Sequence, residues 1–327
     1  MSEAPLAQAL AGKSSPGTRI GSLALLTVLF ALWAFVSLPE GGWLLVLAAL
    51  AFWTSALRLT VLLSALEPQS KAARRGLSVA IPVLFGLTFL FLWEFVVRGL
   101  DVPSVLLPPP SAIAATFAAS TGLLWADFVQ TFLKAVLAGY AIGCGAGFLT
   151  ALLVDRSPFL KRGLLPIGNL VSALPIVGVA PIMVMWFGFD WPSKAAVVII
   201  MTFFPMLVNT VAGLNASSAM ERDLMRTYAA SHGQTLTKLR LPAAMPFIFN
   251  ALKINATLAL IGAIVAEFFG TPIVGMGFRI SAEIGRMNTA MVWAEITVAA
   301  LVGSLSYGLI ALIERRATFW HPSIRRG

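Results

Sequence analysis

Charge, cysteine and histidine are all scarce in this chain of 327 residues. Only 11% of its residues are Asp, Glu, Lys or Arg, against about 25% in a typical globular protein. A soluble fold of this length would need far more polar surface to cover its core, so an ordinary soluble enzyme is excluded. A single cysteine, Cys144, rules out any internal disulfide, and with only His232 and His321 beside it the ligands for a Cys/His zinc site are too few. Cys144 stands in an apolar, glycine-rich run and reads as a small core residue. No histidine cluster, carboxylate pair or serine–base arrangement is present to support an integral membrane enzyme, so neither a catalytic nor a metal-binding residue is expected. Gly12-Lys13-Ser14 resembles the end of a phosphate-binding loop, but Ala7 stands where its first glycine belongs and no apolar strand precedes it. The chain is therefore expected to bind no nucleotide cofactor.

What is abundant is apolar: 58% of the residues are hydrophobic. They fall into eight stretches, roughly 20–38, 42–63, 78–97, 128–153, 164–187, 194–213, 247–269 and 291–313. Each is continuously apolar and long enough to cross a bilayer, which predicts helices and not a barrel of alternating strands. The first follows Lys13 and Arg19 without a clear cleavage site and reads as a retained helix. The net charge of +9 would suggest nucleic acid in a soluble protein. Here its placement matters more. Alternate connections divide the 23 Lys and Arg into 16 on one side, 4 (Arg98, Lys194, Arg279 and Arg286) on the other, and 3 inside the stretches. The richer side carries both termini and is assigned to the cytoplasm. The charge thus marks orientation and gives no support for nucleic-acid binding.

Inside the stretches, Gly139, Gly143 and Gly147 recur every four residues and offer one helix face for close packing. Pro175, Pro181 and Pro205 interrupt spans and, as breaks of the kind that line transport routes, are pathway candidates. A charge at membrane depth costs at least about 2.5 kcal/mol unless it pairs, snorkels or meets water. Glu94, Lys134 and Lys253 lie near helix ends and are expected to snorkel, whereas Glu267, ahead of a glycine-rich loop, is a candidate for the external part of a pathway. A self-contained, ion-coupled secondary transporter using Glu94, Lys134, Glu267 or Glu295 as a relay is the alternative. It predicts two related halves, and no such repeat joins residues 1–160 to 161–327.

The longest polar connection between stretches spans about 214–246. Ser218 and Glu221 have the spacing of a capping box, and Met220, Leu224 and Tyr228 follow on one face with Arg222, Asp223 and Arg226 elsewhere. Ser231-His232-Gly233 breaks this amphipathic helix, and a second short helix with Leu236 and Leu239 ends at Pro242. Such a segment suits either the lipid surface or a groove in another protein.

The spacing resembles the cytoplasmic coupling loop of binding-protein-dependent ABC transporter permeases. Asp223, Leu224 and Met225 stand at its Glu-Ala-Ala triplet, Ala229 at its glycine, and Leu239, Leu241 and Pro242 at its closing element. Two alanines and the glycine are replaced, with Gly233 as a second source of flexibility. Strings at 106–113 (LLPPPSAI), 155–157 (DRS), 181–188 (PIMVMWFG), 203–213 (FFPMLVNTVAG), 265–270 (VAEFFG) and 275–277 (GMG) are similar, in order and spacing, to the branch of that family handling nitrate, sulfonates, taurine and pyrimidine precursors. The resemblance implies an all-α integral membrane fold, a type I importer core of six transmembrane helices at 78–320. It leaves two extra helices in 1–77 and a basic tail at 321–327. It further implies a non-catalytic subunit of the bacterial inner membrane, a permease homodimer in the lipid bilayer. A periplasmic binding protein would deliver a sulfonate, taurine, nitrate or pyrimidine-like solute, and separate ATPase subunits would bind ATP and Mg. In that scheme Arg222, Asp223, Leu224, Met225, Arg226, Tyr228, Ala229, Gly233, Leu241 and Pro242 form the ATPase-coupling element.

Overall fold

A computed structural model describes residues 16–37, 42–66, 68, 70–172 and 175–320, and among these no strand occurs. The Gly12-Lys13-Ser14 string, the N-terminal tail and the basic tail at 321–327 lie outside the described residues. Continuous apolar sequence without alternation leaves helices as the way to satisfy every backbone N–H and C=O inside a bilayer. The elements are α1 (Pro16–Ser37), α2 (Gly42–Ser64), α3 (Lys71–Gly99), α4 (Pro110–Ala119), α5 (Thr121–Arg156, with a π-helical stretch at Val129–Val136), α6 (Pro158–Ser172), α7 (Ile176–Phe187) and α8 (Trp191–Leu214). Then follow α9 (Ala219–Thr227), α10 (His232–Glu267, with a π-helical turn at Leu236–Arg240), α11 (Met276–Gly285) and α12 (Thr289–Ala317). Six helices among the described residues are long and apolar enough to cross a membrane: Leu44–Ser64, Lys71–Gly99, Thr121–Arg156, Trp191–Leu214, His232–Glu267 and Thr289–Ala317.

Two of the eight expected spans are not among these six: the stretch 20–38, whose described apolar part Ile20–Ala34 is shorter, and the stretch 164–187, which divides in two. The stretch 164–187 becomes the shorter helices α6 and α7, and Pro175, extended at φ −68° and ψ 118°, is the N-cap of α7. Pro205 and Pro181, by contrast, stay inside α8 and α7. Pro242 does not end a short helix as expected. It lies within α10, just after the π-helical turn, where a new α-helical register begins and the missing N–H is tolerated.

The chain divides into two compact units, residues 1–115 and 116–327. In the first, α1 packs on α2 and α2 on α3 around Ala34, Leu45, Ala48 and Phe95. Glu94 does not snorkel freely: it pairs with Arg98 and accepts the N–H of Ser111 at 2.8 Å.

In the second unit α8 is central, flanked along its length by α5 and α10. Gly139, Gly143 and Gly147 make the α5–α8 approach possible. A Cβ at Gly139 would lie 2.6 Å from Val198 Cβ, and one at Gly143 or Gly147 would run into Thr202 or the Phe203 carbonyl. Across the same contact, the buried Asn255 of α10 donates to the Thr202 carbonyl at 2.8 Å and to Cys144 Sγ at 3.2 Å. Lys253 pairs with Glu314 at 2.7 Å with both side chains largely covered, so it too is held by a partner and does not snorkel.

Candidate functional site

Two polar constellations sit at opposite ends of α5, α8 and α10. At the first, the loop after α10 turns back into α11, whose N-terminus points at three side chains from older parts of the chain. Gly275 N–H donates to Asp127 Oδ1 at 2.6 Å, Met276 N–H to Thr131 Oγ1 at 2.8 Å, and Gly277 N–H to Glu267 Oε2 at 2.7 Å. Three successive free donors of a helix start are thus satisfied by α5 and α10, with two carboxylates at the positive end of the helix dipole. Thr131 donates in turn to Glu267 Oε1 at 2.7 Å. Arg279, one turn into α11, pairs with Asp127 at 2.8 Å, a bond that pushes its pKa above the ordinary arginine value. The glycines of the GMG string have separate duties. Gly275 adopts φ +140°, and a Cβ on Gly277 would strike the Ile264 carbonyl of α10.

Glu267, the candidate for the external part of a pathway, is a member of this cluster. It is buried, and both of its carboxyl oxygens are engaged in that cap. Lys194 and Arg279, counted as loop charges, are internal. The Lys194 ammonium is buried and donates to the Phe189 and Gly270 carbonyls. Beside it Gln130 donates to Asp190 at 2.6 Å, holding that carboxyl below its usual range, and accepts from Lys134 at 3.0 Å. Asp127 and Thr131 escaped the sequence reading; a carboxylate four residues before a threonine in an apolar helix start was their only signal.

Of the other pathway candidates, Pro205 lines a cavity of about 100 Å³ with Val171, Ile176, Val179, Met201 and Leu258. Pro175 adjoins it through Ile176, whereas Pro181 is exposed elsewhere on α7.

The second constellation is α9 and its flanks. The capping box forms: Ser218 N–H donates to Glu221 Oε2 at 2.8 Å and Glu221 N–H to Ser218 Oγ at 3.2 Å, which holds the Glu221 carboxyl below its usual range. A second box, Ser231 with Gln234, starts α10 and went unread. Met220, Leu224 and Tyr228 are 82%, 56% and 77% exposed, so the apolar stripe has no cover among the described residues. Met225 is half-buried, and Asp223 pairs with Arg226 at 3.4 Å on the exposed surface. Arg222 turns back to the Ser217 carbonyl and fixes α9 to its entry point.

Ala229 ends α9 with φ +50°. Its N–H donates to the Arg226 carbonyl and that of Ala230 to the Met225 carbonyl, both at 2.9 Å, which is a Schellman motif with alanine in the position that favours glycine. Gly233 is not a hinge in place of it; it lies in the first turn of α10. Leu241 and Pro242, both half-buried, continue that helix. Among the described residues no group of three His, Cys, Asp or Glu could hold a metal ion.

Residues 143–319 match the family model described as the binding-protein-dependent transport system inner membrane component. The chain is similar to the formylaminopyrimidine transport permease protein ThiX of Halalkalibacterium halodurans, 30% identical over 76% of this chain and 98% of the relative. It is also similar to the riboflavin transport system permease protein RibX of Chloroflexus aurantiacus, 29% identical over 75% and 91% of the two chains. The "Putative aliphatic sulfonates transport permease protein SsuC" of Bacillus subtilis is 31% identical over 71% and 84%.

Proposed function

This chain belongs to the family of binding-protein-dependent transport system inner membrane components, and from that membership we propose that α9 is the element through which separate ATPase subunits drive it. The protein is a multi-pass permease of an ABC importer. One observation carries the coupling role: a short helix, capped at both ends by its own side chains and backbone, presents Met220, Leu224 and Tyr228 bare to its surroundings. Apolar anchors on a rigid helix, rimmed by Arg222, Asp223 and Arg226, suit a groove in a partner protein. ATP and Mg would then be bound and turned over by that partner, with no catalysis in this chain.

Two permease protomers enclose the pathway on this reading, the 214–246 side and both termini face the cytoplasm, and a periplasmic binding protein delivers the solute at the Glu267 end. The distribution of Lys and Arg supports that orientation. Names of relatives support a small solute: a formylaminopyrimidine, riboflavin, an aliphatic sulfonate, taurine, bicarbonate or nitrate. The Pro205 cavity is the pathway candidate kept from the sequence.

The test is assembly. Leu224→Glu combined with Tyr228→Glu changes only exposed side chains, so thermal stability of the permease stays within about 0.5 kcal/mol. Co-purification of the ATPase subunits falls at least tenfold. Unchanged assembly in the double variant refutes the coupling role.

A further inference from the structure

The segment between Leu214 and Arg240 begins and ends at the same point of the bundle, and one side chain joins its two ends. Arg240 donates through Nη1 and Nη2 to Asp155 Oδ2 and Oδ1, each at 2.6 Å, and through Nε to the Leu214 carbonyl at 2.9 Å. Asp155 is in the last turn of α5, and Leu214 is the last residue of α8. The guanidinium therefore lies at the C-terminal ends of two helices, where their dipoles favour a cation, while belonging to the π-helical turn of α10. Both partners of the ion pair are largely covered. A planar fork with two parallel bonds to one carboxylate fixes orientation as well as distance. Beside it the backbones of α8 and α10 approach closely: a Cβ on Gly213 would lie 2.8 Å from Phe247 Cβ.

We propose that Arg240 is a positioning residue which, through Asp155 and the Leu214 carbonyl, locks α5, α8 and α10 into one body at the base of the coupling segment. A push on α9 then reaches all three helices together instead of bending the two connections that hold it. This inference rests on the coupling reading of α9. It adds that the transmitted motion depends on a contact made by residues 85 apart in the chain and outside the apolar stripe itself. Without the fork, the segment still docks, because Leu224 and Tyr228 are untouched. Its movement is lost in the loosened junction.

The test uses the complex co-purified with its ATPase subunits, in a Cys144→Ser background. Spin labels are placed at Thr227→Cys on α9 or at Ile273→Cys in the exposed loop before α11. Distances between protomers are measured by electron–electron double resonance, with and without ATP and vanadate. In the parent, trapping shifts the distance at both positions. In Asp155→Asn the shift at 227 is retained and that at 273 is lost. Combining Asp155→Arg with Arg240→Asp, which restores the ion pair in reverse, brings back part of the shift at 273. Where Asp155→Asn does not assemble, Arg240→Lys, which keeps the charge and loses the fork, reads the same contrast. A full shift at 273 in Asp155→Asn or Arg240→Lys overturns the clamp while leaving the coupling role intact. No shift at 227 in the parent overturns both.

Discussion

Asp127, Thr131 and Glu267 are buried at one end of α5 and α10, and each gives an oxygen to a neighbouring backbone N–H at 2.6–2.8 Å. At the other end, Ser218 and Glu221, and Asp223 and Arg226, bond to each other at 2.8–3.4 Å, yet all are exposed and reach no further than their own helix. In the first region the polar groups tie distant segments together, and their removal leaves a charge or a donor stranded away from water. In the second they finish a small helix whose apolar face is left bare. The contrast separates a part of the molecule that is tied together from within from a part whose apolar face has no partner among the described residues.

Asp127→Ala tests the first half of that contrast with the largest effect. It leaves Arg279 and the Gly275 N–H without their partner in a covered site, and breaking a buried ion pair from one side costs about 3–5 kcal/mol. The expected result is a large fall in melting temperature in detergent. A loss below about 1 kcal/mol would show that water reaches this cap. Gly277→Ala follows. Its added methyl meets the Ile264 carbonyl, and overpacking of this kind costs about 1–3 kcal/mol. The same substitution at Gly233, around which a Cβ would meet nothing, provides the control and leaves the melting temperature unchanged or slightly raised.

These residues also mark what a sequence can disclose. The Ser218 capping box was readable because its two members lie three residues apart and answer to one local rule. The glycine spacing at 139, 143 and 147 likewise named a packing face, since helix geometry alone aligns it. Glu267 was noticed as a costly charge, but its purpose was not visible. Its partners Thr131 and Gly277 lie 136 and 10 residues away, and the turn that joins them depends on Gly275. Lys253 with Glu314 and Arg240 with Asp155 were hidden for the same reason, being 61 and 85 residues apart. Pro242 misled because a proline after a leucine reads as a stop, whereas the π-helical turn before it lets the helix start afresh.

Ala229→Gly sharpens the second half of the contrast by strengthening it. An L-residue in the left-handed region carries a penalty of roughly 1–2 kcal/mol, part of which glycine gives back as extra freedom in the unfolded chain. A gain of about 0.5–1 kcal/mol remains. It is read as slower amide hydrogen exchange at Ala230, whose N–H closes the motif on the Met225 carbonyl. Faster exchange would mean that the turn owes its form to something other than its own backbone.

The smallest effect is a pH dependence confined to α9. The Ser218 N–H bond holds the Glu221 carboxyl below its usual range, so the folded helix favours the ionised form. For a group whose folded value is lowered, the stabilisation is present above the unfolded value, about 4.3, and is lost as pH falls through the folded one. The helix start therefore frays in acid, and the amide of Ser218, whose acceptor is the Glu221 carboxylate, loses protection first. Glu221→Gln keeps an oxygen for the Ser218 N–H and carries no proton to gain, so its protection at that amide stays flat over the same range. If the glutamine variant frays in acid as the parent does, the change belongs to the contacts beneath α9 and not to its cap, and the independence of the two ends of this bundle fails with it.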